Sequence, residues 1–405
     1  MRNSIKVTSI ALLLSACIML VSFGGQEAEW KGKVEMEEGV KVIQNPGEPL
    51  YGEIKLELEE DLSIGNENDA HYLFYRVSDI QVDADGNIYV LDSGNHRLQV
   101  FDKDGKYLRT IGKRGQGPGE FNTPKCLRLD DETGNIYVVD NMLRKIIIFE
   151  KEGKYIDKDI PLVELLNDFY LDSDRCIWGK FSLPGIDIIY LFIKKLNLAG
   201  KVEKTFIEIP YPIQKIIISN TREGNTAFLS AYMVHHGYED DLFISKIDNH
   251  TFVYGHSKKY ELVVVDRSGK TLFIIRRDES PIRITKKEKD RIKNQKIWNL
   301  RKQGHYVPEI SIKFPEYMPY FYSIITDNKG RIYVRKNPVS RESNTNHEYD
   351  VFNKEGRYIY KIHLNHYPDV IKNGYIYTRI TNEETGEEHV KRFSIKNWRL
   401  MKQDS

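Results

Sequence analysis

One short phrase recurs through this chain at a spacing that only stacked supersecondary units satisfy. Residues 79–112 read DIQVDADGNIYVLDSGNHRLQVFDKDGKYLRTIG, and residues 135–156 repeat the core of it as NIYVVDNMLRKIIIFEKEGKYI, displaced by 48. Residues 251–275, TFVYGHSKKYELVVVDRSGKTLFII, lie on the first copy without a gap at a displacement of 164. A period of this size marks a repeat architecture. Each copy reads as four short strands rich in β-branched and aromatic residues, separated by turns such as Asp83-Ala84-Asp85-Gly86 and Asp102-Lys103-Asp104-Gly105. In such turns the carboxylate accepts nearby backbone N–H groups while glycine takes the positive φ. Regularly spaced short strands exclude a parallel sheet with crossover helices and point to a sandwich, barrel or propeller.

Three weaker copies follow the same plan, from Asp168 to Gly200, from Ser323 to Gly356, and from Gly374 to Ile395. After Trp398 too few residues remain for a last strand, whereas spare strand-like segments lie at Val42–Gln44 and Glu53–Leu58. Pairing an N-terminal strand into the last blade would close the ring and remove two exposed sheet edges. The expectation is an all-β fold over residues 30–398: a single six-bladed β-propeller of four-stranded blades, closed by an N-terminal strand, with one helical insertion near 285–303.

These segments resemble the NHL-type β-propellers, and more closely the exported bacterial six-bladed propeller proteins. The residues that carry the likeness are GNIYVLDSGNHRLQVFD at 86–102, GQGPGEFNTP at 115–124, the second copy, and WKGKVEMEEGVKVIQNPGEPLYGE at 30–53. The resemblance implies blades around a central channel and no settled activity.

The first 25 residues stand apart. Arg2 and Lys6 precede an uncharged run from Val7 to Gly25, the layout of an export signal. Leu14-Ser15-Ala16-Cys17 reads as a lipobox, with Cys17 the lipidation site. Cleavage near Ser22-Phe23-Gly24 and an uncleaved anchor are the two rival outcomes, since the run approaches the roughly 20 residues that span a bilayer. Each places the folded part outside the cytoplasm, in the periplasm or membrane-anchored at the cell envelope. Cys126 and Cys176 fall in neighbouring repeats with nothing to bring them within bonding range, so both read as structural thiols.

The net charge of +1 favours neither nucleic acid nor an anionic surface as a partner of the whole molecule. Function should therefore lie in the insertions. The blade-marking glycines Gly105, Gly153, Gly200, Gly269 and Gly356 are separated by 48, 47, 69 and 87 residues, so the last two intervals carry extra chain. The larger excess opens on Thr285-Lys286-Lys287-Glu288, a capping box, and Gly304 is its expected stop. Ile292, Ile297 and Leu300 fall on one side of this helix, Trp298 points away, and eight basic residues make it strongly cationic. It reads either as a solvated face or as a platform for anionic lipid, polysaccharide or an acidic partner. The aromatic stretch PEYMPYFYS follows, with Tyr317, Tyr320 and Tyr322. The smaller excess holds His235, His236, Tyr238 and Asp240, with His250 and His256 nearby.

Trp298, Tyr317, Tyr320, Tyr322, His235 and Tyr238 are the candidate ligand-binding residues. His235, His236, Asp240 and His250 are the candidate metal ligands, although adjacent histidines on a strand point to opposite faces. Asp92 and Asp140 stand at equivalent strand ends and read as structural acceptors for turn amides or for Arg97 and its counterpart Lys145. No catalytic residue is identified. The expectation is a monomeric binding or scaffold module without a cofactor, engaging a protein, peptide or glycan through its loops and channel, with the membrane reached only through the signal or its lipid. The alternative is a hydrolase or lyase with a divalent metal in the channel, as the resemblance to propeller lactonases and the NHL-type lyase implies.

Overall fold

The structure, a computed structural model, describes residues 29–213, 215–219, 229–233, 238–302, 312–336 and 346–401. Six antiparallel four-stranded blades stand in a ring. Blade one runs through Val77–Val82, Ile88–Asp92, Arg97–Phe101 and Tyr107–Ile111, from the axis outward. Blade two follows with Pro124–Leu129, Ile136–Asp140, Lys145–Phe149 and Tyr155–Pro161. Blade three has Leu165–Leu171, Ile177–Pro184, Ile188–Leu196 and Val202–Pro212, its outer strands reaching nine and eleven residues. Blades four and five begin at Leu242–Asp248 and Phe321–Thr326. Blade six is Val370–Lys372, Tyr375–Thr381 and Glu388–Ile395, completed by Leu58–Ile64 from the other end of the chain.

The ring is thus closed by an N-terminal strand, but that strand starts where the second spare segment ends. Val40–Asn45 instead adds in parallel to the outermost strand of blade four, and Glu53–Ile54 adds in parallel to the outermost strand of blade five. The N-terminal chain therefore belts two consecutive blades, four and five, before it joins the sixth. Buried Asn45 fastens the belt: its side chain donates to the Gly356 carbonyl at 2.9 Å and accepts from the Tyr358 amide at 2.7 Å. A sequence-local pattern carries no information on which sheet edge a lone strand meets, because that pairing depends on contacts more than 200 residues away.

The turn chemistry follows expectation. Asp102 accepts from the amides of Asp104 and Lys106 at 3.0 and 2.9 Å, and Gly105 sits at φ +80°. Apolar side chains fill the spaces between blades. Trp178 of blade three stacks on Phe252 of blade four, ring centres 4.4 Å apart and 8° from parallel. Its indole N–H finds Asp172 at 3.0 Å, so a large buried aromatic leaves no polar atom unpaired. Cys126 is buried and Cys176 half-buried, both are free thiols, and burial raises both pKa values, that of Cys176 to about 11.

The inserted helix spans Lys286–Lys302. Its capping box forms as expected: the Thr285 amide and hydroxyl both reach the Glu288 carboxylate, at 3.0 and 2.8 Å. Ile292 and Leu300 are buried, while Trp298 is 59% exposed. Gly304 lies outside the described residues. No helix among the described residues is long and apolar enough to cross a membrane.

Candidate functional site: a walled cavity at the channel mouth

Strand direction alternates outward through each blade, so all six innermost strands begin at one end of the ring. There a shared local irregularity shapes the surface. The innermost strands of blades one, two, three and five each skip one residue in their pairing, at Ser78, Lys125, Asn167 and Tyr322. A bulged residue leaves the ladder and its side chain is re-aimed. Lys125, Asn167 and Tyr322, three of these four, line a cavity of about 790 Å³. The tall strands of blade three form its wall through Ser182, Ile189, Leu191 and Tyr211. Asp241 and Phe243 of blade four supply the floor beside Lys180. That volume falls within the range typical of small-ligand and peptide sites.

A set of acids lies at the mouth end of the inner strands: Asp79 and Asp168 directly follow the bulged residues of blades one and three, and Asp241 and Asp369 directly precede the first strand residues of blades four and six. In the first three the carboxylate accepts the next backbone amide, at 2.8 Å in each case. Every one of the four also holds a cation. Arg128 bridges Asp79 and Asp168, Lys180 pairs with Asp241, and Arg379 meets Asp369 at 2.7 Å. Burial disfavours the Arg128 charge, but the two carboxylates outweigh it and hold its pKa well above the ordinary arginine value. Burial and the neighbouring Asp79 raise the Asp168 pKa against the pull of Arg128. Arg128 thus ties the inner strands of blades one, two and three, Lys180 links the second strand of blade three to blade four, and the Arg379 pair lies within blade six.

Asp240, one residue before this set in blade four, lines the large cavity and also a second one of about 380 Å³. Its carboxylate takes a short hydrogen bond from His256, which stands where Asp92 and Asp140 stand in their blades. Burial would raise the Asp240 pKa, and the bond and charge of His256 overcome this and lower it. Tyr211 faces the same acids: burial and the charges of Glu239, Asp240 and Asp241 push its phenol upward.

The expected site residues divide. Tyr322 lines the large cavity, and Tyr317 and Tyr320 line the smaller one. Trp298 lines neither cavity and stands in solvent with Lys302 over its ring. Tyr238 is 1% exposed in an apolar cluster with Ile284, Ile292 and Met318, and its hydroxyl donates to Glu288 at 3.2 Å. Its ring anchors the helix and also lines the smaller cavity beside Tyr317 and Tyr320. His235 and His236 lie outside the described residues. Asp240 and His250 cannot share an ion, because they flank opposite ends of the seven-residue strand Leu242–Asp248, on the order of 20 Å apart. Among the described residues no three His, Cys, Asp or Glu side chains converge on a metal position. Asp92 and Asp140 are fully buried acceptors. Asp92 binds the Tyr75 amide and Arg97, and Asp140 binds four loop amides, while Lys145 turns away to Asp159.

Lys125, Asn167, Lys180 and Tyr211 were not singled out from the sequence. The available signal was positional: Lys125 and Asn167 each stand one residue before the first repeat-aligned inward position of a blade.

Together these features define a six-bladed β-propeller with a walled cavity beside a charge-paired axis. A family model described as a domain of unknown function (DUF4934) matches residues 67–266, which cover blade one to the third strand of blade four. No curated protein matches the chain. Among solved structures it is similar to that of a Bacteroides fragilis protein named for its inferred export, at 13% identity and a TM-score of 0.51 over 88% of this chain and 99% of that one. A member of the DUF4221 family from Bacteroides vulgatus matches at 12% identity and 0.49, over 84% and 98%. Virginiamycin B lyase from Staphylococcus aureus matches at 10% and 0.41, over 84% and 99%. The first of these likenesses shows the shared ring, and the other two are too remote to bear on the site.

Proposed function

We propose that the chain is an exported binding propeller of the NHL type that holds a segment of a protein, peptide or glycan in the cavity at the channel mouth. The observation that carries this reading is the placement of Lys125, Asn167 and Tyr322 into one cavity by the same bulge in three blades. Bulges cost ladder hydrogen bonds, and their use beside a wall of Ile189, Leu191 and Tyr211 makes a mixed polar and aromatic surface suited to recognition. Four acids around the axis, Asp79, Asp168, Asp241 and Asp369, are held by Arg128, Lys180 and Arg379 and so are not open to a metal, which favours binding over metal-assisted hydrolysis. Export rests on the charged start and the uncharged run of residues 7–25, with Cys17 the point of lipid attachment.

The test is a screen of the purified protein on peptide and glycan arrays, repeated with Asn167→Ala, Tyr322→Ala and the cavity-filling Ser182→Trp. The reading requires that ligands bound by the parent be lost in all three at unchanged melting temperature. Binding that survives Ser182→Trp would place the site elsewhere. A stoichiometric divalent ion retained by the native protein and lost with His235→Ala and His236→Ala would move the enzyme reading to the front.

A further inference from the structure

A second surface at the mouth end of the ring differs in chemistry from the cavity. Two independent elements build it. The first is the hairpin that joins the second and third strands of blade three. Its tip, Leu183-Pro184-Gly185-Ile186-Asp187-Ile188, stands above the cavity, since Ser182 and Ile189 at its base line the wall. The turn is closed by the Gly185 amide on the Ile188 carbonyl at 2.8 Å. Ile186 is 85% exposed, and Leu183 and Ile188 are also open to solvent. Apart from Asp187, the tip exposes apolar side chains, and holding these in water is unfavourable.

The second element is the inserted helix. Its sequence, KKEKDRIKNQKIWNLRK, holds six lysines and two arginines against one glutamate and one aspartate, in a chain whose overall charge is only +1. The buried Ile292 and Leu300 fix its rotation. At 100° per residue, Lys287, Arg291, Trp298 and Lys302 then fall along one outward line, and all four are exposed. The link between Tyr238 and Glu288 fastens the start of the helix two residues before Asp240, so the line lies beside the mouth.

An exposed tryptophan in a line of cations, with an apolar protrusion on the neighbouring blade at the same end of the ring, matches an anionic bilayer surface in charge and in amphipathic character. The cations meet lipid phosphates, the indole sits at headgroup level, and the apolar tip enters the acyl boundary. We infer that the mouth end of the propeller docks on anionic lipid through the Lys287–Lys302 helix face and the Leu183–Ile188 tip. This contact is additional to any attachment through the N-terminal segment, and it does not depend on what the cavity holds.

The test is co-sedimentation with lipid vesicles. Every ring strand lies within residues 58–395 and the belt begins at Lys33, so a chain without residues 1–25 retains the whole fold and removes any N-terminal anchor. Vesicles of phosphatidylcholine are compared with vesicles that also contain phosphatidylglycerol. The expected result is at least about tenfold tighter binding to the anionic vesicles, weakening with salt. Arg291→Glu with Lys302→Glu should remove most of that preference. Trp298→Ala and Ile186→Asp should each weaken binding severalfold, with unchanged far-ultraviolet spectra and melting temperatures. Equal binding to both vesicle types overturns the inference, as does binding that resists the charge reversal. Binding to dextran sulfate without binding to vesicles overturns it too, and assigns the helix to an acidic polysaccharide.

Discussion

Nη1 of Arg128, on the innermost strand of blade two, lies 2.9 Å from Oδ2 of Asp79 on the innermost strand of blade one. The other terminal nitrogen of the same guanidinium reaches Asp168 in blade three, and the guanidinium carbon lies 4.6 Å from the Tyr170 ring centre. One side chain thus joins three blades. Arg128→Met leaves two neighbouring carboxylates without their cation and should cost about 3–5 kcal/mol. Denaturant unfolding measures this, and adding Asp168→Asn to the variant should recover part of the loss. A variant as stable as the parent would show that the bridge contributes nothing.

Asp140 accepts four loop amides with two oxygens, Oδ2 from Asn122 and Thr123 at 2.6 and 2.8 Å, and Oδ1 from Met142 and Leu143 at 3.1 Å each. Asp140→Ala should destabilise by about 2–4 kcal/mol, because several donors lose a charged acceptor in a buried place. Asp140→Asn keeps one oxygen and should lose roughly half as much. Equal losses in the two variants would contradict this division of roles.

Lys336 ends the second strand of blade five beside Glu279, Asp350 and Arg277. Burial lowers its pKa to about 8, with Asp350 opposing and Arg277 assisting. The folded state therefore binds this proton more weakly than the unfolded chain, and stability should rise as pH climbs from about 8 towards the ordinary lysine value. The gain is on the order of 2–3 kcal/mol. Melting curves between pH 7 and pH 10 for the parent and for Lys336→Met read the effect as a difference. Parallel curves would remove the claim.

Trp298 touches solvent and Lys302 rather than the core. Trp298→Ala should shift the melting temperature by no more than about 2 °C, the range of a surface change. A fall of several degrees would assign the indole to packing.

Much of the architecture was legible because its causes are local. The Asp83–Gly86 and Asp102–Gly105 turns, the β-branched and aromatic residues of Ile88–Leu91, and the Thr285–Glu288 box each act within a few residues. They survive in the structure at the expected positions. The structural reading of Asp92 and Asp140 held for the same reason, since their partners are neighbouring loops. Lys145 departs from Arg97 by pairing with Asp159 on the adjacent strand, at 2.6 Å. Tyr238 lines the smaller cavity while Ile292 and Met318 pack over its ring, a burial that no local pattern records.

The sequence by itself determined the number of blades, the turn at each strand end, the helix with its buried and outward faces, and the need for an N-terminal strand to close the ring. These follow from periodicity, turn stereochemistry and the unfavourable exposure of sheet edges. Tertiary structure alone decided that Leu58–Ile64 is the closing strand and that the chain before it belts blades four and five. It also decided that Lys125, Asn167 and Tyr322 share one cavity, and that Arg128 joins Asp79 to Asp168. The physical reason is separation along the chain. Each of these contacts joins residues from different blades, and its strength depends on distance and burial in three dimensions, which no local pattern records.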